Sequence, residues 1–128
     1  MDRQDVASTY RNSTIENAPP IKIVRLLYAG ALRYLDRALA EEPGDPRSKF
    51  SDLVGRADRI VCELRLALDH GPDPEVGNRL EELYLFVENR LARAVLEREC
   101  EHLREARTIL AKLQEAWNAV ERDGIPDA

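Results

Sequence analysis

Apolar residues recur along most of this chain with helical spacing, and the stretch 20–38, PIKIVRLLYAGALRYLDRA, has more of them than one helix face needs. At about 100° per residue, Lys22, Arg25, Ala29, Arg33, Asp36 and Ala40 share one wet arc of roughly 80°. With Leu26 and Arg37 set aside, the rest of the helix, from Ile23 to Leu39, presents apolar groups over about 200°. An ordinary surface helix needs a stripe little wider than about 100°. Either neighbouring helices enclose the surplus, or something else binds there.

Breakers divide the remainder. Pro19 and Pro20 fit a helix entry, since proline presets φ and needs no N–H in the first turn. Pro43, Gly44 and Pro46 end the first helix. A second helix is predicted from near Ser48, with Leu53, Ala57, Ile60, Leu64 and Ala67 at alternating steps of four and three. HGPDP at 70–74 is the next turn. From about Glu75 a third helix carries Leu80, Leu83, Val87, Leu91 and Ala94, and a second apolar line of Leu85, Ala92 and Leu96 lies roughly 140° away. Phe86 stands on neither line, with Arg79, Arg90 and Arg93 around it.

No glycine or proline separates the third helix from the fourth. The stripe through Leu80, Val87 and Ala94 would next meet Glu101 and Thr108, whereas the following apolar set is Leu103, Ala106, Leu110, Leu113, Trp117 and Val120. This phase break predicts a tight reversal at 97–100. The competing geometry, one helix from Glu75 to Glu121, would be about 70 Å long. Four helices joined by short turns pack most simply as an all-α, antiparallel up-down-up-down four-helix bundle. The expected organisation is a flexible N-terminal arm at 1–19, a bundle at 20–122 and a tail at 123–128. The arm is polar apart from Val6, Tyr10 and Ile15.

Composition supports this class. With 128 residues, 34% charged, 44% hydrophobic and only 5% aromatic, the chain reads as solvated amphipathic helices in one domain. A net charge of −5 argues against nucleic acid, which needs a basic face. Arg25, Arg33 and Arg37 have Asp36 among them and read as a solvated face. The start MDRQDVAST lacks the layout of a secretory signal, and no apolar run reaches the length of a membrane span, so no direct membrane insertion is expected and the protein is placed in the cytoplasm. Cys62 and Cys100 fit no disulfide framework or metal spacing.

Catalytic chemistry finds no constellation. Glu99 and His102 form Glu-x-x-His, but a two-metal bundle needs a second such pair, and His70 lacks its glutamate. Glu41-Glu42 and Glu81-Glu82 are adjacent, so each pair diverges by about 100° on a helix. Ser8, Ser13, Ser48 and Ser51 sit in the arm or at a helix start, where capping accounts for them. The expectation is no enzyme, no metal and no cofactor.

Several fragments recur at one set of spacings. Tyr10, Ile15 and Ala18-Pro19-Pro20 precede the first helix, Leu27-Tyr28-Ala29-Gly30-Ala31 follows, then Leu83-Tyr84, Arg90-Leu91 and Ala94, and finally Ala116-Trp117. In this order the chain resembles the flagellar secretion chaperone family, FliS, from about Tyr10 to Val120. It departs from the family pattern at Pro19, Ala29 and Arg79. The resemblance implies a non-catalytic antiparallel bundle that binds the C-terminal segment of flagellin in the cytoplasm, keeps it unpolymerised and delivers it to a flagellar export gate component.

The residues agree in kind, because a sticky amphipathic segment is best held by covering its apolar faces in grooves. The expected partner-binding residues are Tyr28, Leu32, Leu35 and Leu39 on the first helix, Leu85, Phe86, Ala92 and Leu96 on the third, and Tyr10 and Ile15 on the arm. Tyr28 and Tyr84 also serve the core, with hydroxyls reaching the rim. The alternative is a structural protein whose surplus stripes meet in a homodimer.

Overall fold

The computed structural model describes residues 21–68 and 74–123, with side chains as far as 119. Four helices carry them: α1 (Ile21–Leu39), α2 (Phe50–Leu66), α3 (Pro74–Glu97) and α4 (Cys100–Asp123). Each packs on the next and α4 closes onto α1, while neither diagonal pair makes backbone contact. This is the expected antiparallel up-down-up-down ring. The expected N-terminal arm lies outside the described residues, as does the tail from 124 onward.

The ends of the helices follow local chemistry. After α1, Glu41 N–H bonds back to the Ala38 carbonyl at 3.0 Å, tightening the last turn as the Pro43-Gly44 breaker approaches. Glu41 then accepts the Lys49 N–H at 2.9 Å, and the Ser48 hydroxyl accepts that of Phe50 at 3.3 Å. Those contacts satisfy the first donors of α2, which starts two residues beyond Ser48. α3 begins on Pro74, at the position where a missing N–H costs nothing.

The reversal without glycine is real. α3 stops at Glu97, Arg98 adopts φ 55°, and Glu99 N–H reaches the Ala94 carbonyl at 3.2 Å. A left-handed residue followed by this six-to-one hydrogen bond is a Schellman ending, here made with arginine where glycine is usual. α4 restarts at Cys100 in the new phase, burying Leu103, Ala106, Leu110, Leu113 and Trp117. The side chain of Val120 lies outside the described set.

The core corrects one expectation for α1. Tyr28, Leu32 and Leu35, expected to offer surface to a partner, are buried. They lie on the side of α1 that faces α2 and α4 together, where apolar area is removed from water by the bundle itself. The Tyr28 and Tyr84 hydroxyls do not reach the rim but hydrogen-bond to each other inside. Leu39 is half-buried against the core. Gly30 sits where α1 meets α2: a Cβ there would stand 3.6 Å from Ile60 Cδ1, an ordinary contact.

Two ion pairs pin neighbouring helices. Arg65 of α2 grips both carboxylate oxygens of Glu88 on α3, at 2.6 and 3.3 Å. Arg107 of α4 does the same to Asp36 of α1, in a more exposed setting where such a pair stabilises by at most about 1 kcal/mol. Cys62 and Cys100 are free thiols, each half-buried.

Candidate functional site

The outer wall of α3 carries apolar groups that no neighbouring helix covers. Leu85 is 47% and Leu96 81% exposed, and Ala92 between them is exposed as well. The three fall within an arc of about 40° and run about 16 Å along the helix. The inward line of the same helix, Leu80, Val87, Leu91 and Ala94, is fully buried. α3 therefore has two apolar faces, one inside and one outside.

Phe86 opens a second feature on this wall. Its exposed ring lies under the Arg90 guanidinium, 4.9 Å from the centroid. With Arg79, Glu82 and Leu83 it lines an open depression of about 430 Å³. Arg90 is held over the ring from α4, by His102 Nδ1 at 3.3 Å and Glu105 at 3.8 Å. A guanidinium on an aromatic face stabilises by about 0.5–1 kcal/mol in such a setting and fixes the ring at the edge of the notch.

His102 is committed to this network, since its Nε2 meets Glu97 at 2.5 Å. Glu99, its partner in the Glu-x-x-His reading, is exposed. Among the described residues no group of three or more His, Cys, Asp or Glu side chains is placed to hold a metal ion.

Of the sequence-derived partner residues, the structure brings Leu85, Phe86, Ala92 and Leu96 together on α3 and leaves them exposed. It withdraws Tyr28, Leu32 and Leu35 into the core and half-buries Leu39. Tyr10 and Ile15 lie outside the described residues. The apolar surface that α1 does expose is Ile23, 45% accessible, and Leu26, 55%; Leu66 on α2 is exposed too. Leu26 had a signal in the sequence, being an aliphatic residue displaced from the main apolar span toward the wet arc. Among the described residues no helix is long and apolar enough to cross a membrane.

Comparison with known proteins agrees with this architecture. The chain matches the family model described as flagellar protein FliS over residues 3–124. It is 27% identical to the flagellar secretion chaperone FliS of Vibrio cholerae over 110 residues, covering 85% of this chain and 80% of that protein. It is 26% identical to the flagellar secretion chaperone FliSB of Pseudomonas aeruginosa over 106 residues, 83% of this chain and 84% of that one. With the flagellar secretion chaperone FliS of Campylobacter jejuni the identity is 31% over 101 residues, 79% of each chain. These are chaperones rather than enzymes. A four-helix bundle with exposed apolar lines, matched along nearly its whole length by this family, belongs to the flagellar secretion chaperones of the FliS type.

Proposed function

We propose that the protein works in the cytoplasm, binds the C-terminal, assembly-competent segment of a flagellin, keeps it from polymerising and delivers it to the flagellar export gate. The observation that carries this reading is the exposed line Leu85, Ala92 and Leu96. A client helix laid along it would remove the exposed parts of two leucines from water, contributing up to about 1.5–3 kcal/mol at Leu96 and about half that at the half-buried Leu85. The same contact would occupy the client's own apolar face, which is the face needed for assembly. The Phe86 notch on the same helix offers an aromatic anchor with Arg79 and Glu82 at its rim. Tyr10 and Ile15 are the candidates to shield a groove in the free protein or to contact the gate.

Titration with a peptide copying the C-terminal segment of the cognate flagellin tests this. Micromolar or tighter binding with a negative heat-capacity change is expected, as for apolar burial. Leu85→Asp and Leu96→Asp should each weaken it at least about tenfold with helicity retained, whereas Leu110→Asp should unfold the bundle by burying an unpaired charge. No binding by the unaltered protein would end the proposal. A mass that grows with protein concentration, and is abolished by Leu96→Asp, would identify the line as a homodimer interface instead.

A further inference from the structure

The outer face shared by α1 and α2 has a chemistry of its own. Tyr34 of α1 lies between two guanidinium groups, Arg37 at 5.8 Å and Arg56 of α2 at 5.9 Å from its ring centroid. Arg33 is one turn from Arg37 on α1 and Arg59 one turn from Arg56 on α2, both exposed. Asp36, which in the sequence offsets Arg33 and Arg37, is turned away to the α4 side, where Arg107 holds both its oxygens. Among the described residues Arg33, Arg37 and Arg59 therefore have no carboxylate partner. Arg56 is paired with Asp52 at 3.0 Å, and Glu41, four residues beyond Arg37, accepts the Lys49 N–H.

At that other end the face turns apolar. Ile23, Leu26, Gly30, Arg33, Arg37 and Tyr34 fall within one arc of about 100° on α1. Ile23 and Leu26 are the exposed aliphatic residues of that arc. From Ile23 to Arg37 the face is about 21 Å long. One end is aliphatic, and the other is cationic and aromatic.

We propose that this α1–α2 face docks an amphipathic helix of a partner protein, about four turns long, whose aliphatic side chains cover Ile23 and Leu26 and whose carboxylates meet Arg33, Arg37 and Arg59. Charge complementarity selects the occupant. Guanidinium groups with no carboxylate partner among the described residues, on a chain that has 19 basic against 24 acidic residues, attract a carboxylate-bearing segment locally, while the net charge of −5 repels extended polyanions such as nucleic acid or an anionic bilayer. Planar guanidiniums also take carboxylates two bonds at a time, which fixes the partner's register. The face is separate from the exposed line of α3, because α1 and α3 are diagonal in the ring, and the inference stands whatever that line binds.

The test is fluorescence anisotropy with a labelled amphipathic peptide of about 18 residues, glutamates grouped at one end, beside its glutamine counterpart and phosphatidylserine vesicles. The glutamate peptide should bind at least about tenfold tighter than the glutamine one, and raising NaCl from about 50 to about 300 mM should weaken it. Arg33→Gln combined with Arg37→Gln, and separately Leu26→Asp, should each remove at least about tenfold in affinity, while Leu85→Asp leaves it unchanged. Circular dichroism of these surface variants should match the parent. Equal binding of both peptides, no binding of either, or affinity untouched by the arginine changes would overturn the proposal. So would vesicle binding that the same variants abolish, which would make the face a membrane contact.

Discussion

The hydroxyls of Tyr28 on α1 and Tyr84 on α3 hydrogen-bond to each other across the centre of the bundle, their ring centroids 6.4 Å apart. They belong to diagonal helices whose backbones never touch, so the pair bridges the widest span of the core. Trp117 of α4 joins them, 6.4 Å from Tyr28. Leu-Tyr of the first helix, Leu-Tyr of the third and Ala-Trp of the last carry much of the family resemblance. Their aromatic members are thus one interior cluster, and the exposed line of α3 contains none of them.

Tyr28→Phe keeps the ring and removes one partner of this hydrogen bond. A buried bond of this kind contributes about 1 kcal/mol net, so urea denaturation should show a loss of that size, with peptide binding at α3 unchanged. An affinity loss at constant fold would mean that Tyr28 reaches a partner after all.

Alkaline pH should weaken the fold through the same residue. Burial pushes the Tyr28 phenol well above the ordinary tyrosine value, and Tyr84 adds to the shift by its charge and its hydrogen bond, while Trp117 opposes it more weakly. An unfolded tyrosine ionises near about 10. Because the folded value is the higher one, this stabilisation is complete below about pH 10 and is lost as pH rises from there toward the folded value. Urea midpoints followed from about pH 8 to about pH 11 should fall at the alkaline end, and less steeply in Tyr28→Phe.

The Arg65–Glu88 pair between α2 and α3 is largely shielded from water. Asp58 stands close by, its carboxyl pushed up by burial and then by the charge of Glu88, with Arg65 pulling it back down. Arg65→Met should cost about 1–3 kcal/mol by leaving two carboxylates without their cation. The deficit should shrink in acid, where protonated carboxyls need none. Adding Glu88→Leu should restore most of the stability at neutral pH, and thermal melts of the single and double variants decide it.

Helix chemistry predicts two stabilising changes. Gly55 lies inside α2 with open space where a Cβ would go, so Gly55→Ala should add roughly 0.5–1 kcal/mol by lowering the entropy of the unfolded chain. Arg98 holds φ 55° at the end of α3, a conformation costing a side-chain-bearing residue about 1 kcal/mol. Arg98→Gly should recover up to that amount, and Arg98→Val should lose more than it. A melting temperature that falls in Arg98→Gly would show that the arginine side chain, not the backbone, holds the turn.

Most of the helical plan was legible in residue order because its causes are local. A 3.6-residue period, a proline or a shift of phase acts over one or two turns, which is why the reversal at Arg98 could be found without any glycine. The inner and outer lines of α3 were readable for the same reason, since Leu80 and Leu85 differ by an angle that a single helix sets.

What residue order left open was how the neighbours are arranged. On α1 an apolar span of about 200° had two flanks, and periodicity is blind to which of them α2 and α4 cover. Packing buried Leu32 at one edge of the span and left Ile23 at the other partly in water. Likewise Asp36 reads as the neutraliser of Arg33 and Arg37 until α4 brings Arg107 to it. Contacts between residues far apart in sequence depend on where four rods meet in space, and no pattern within one rod records that.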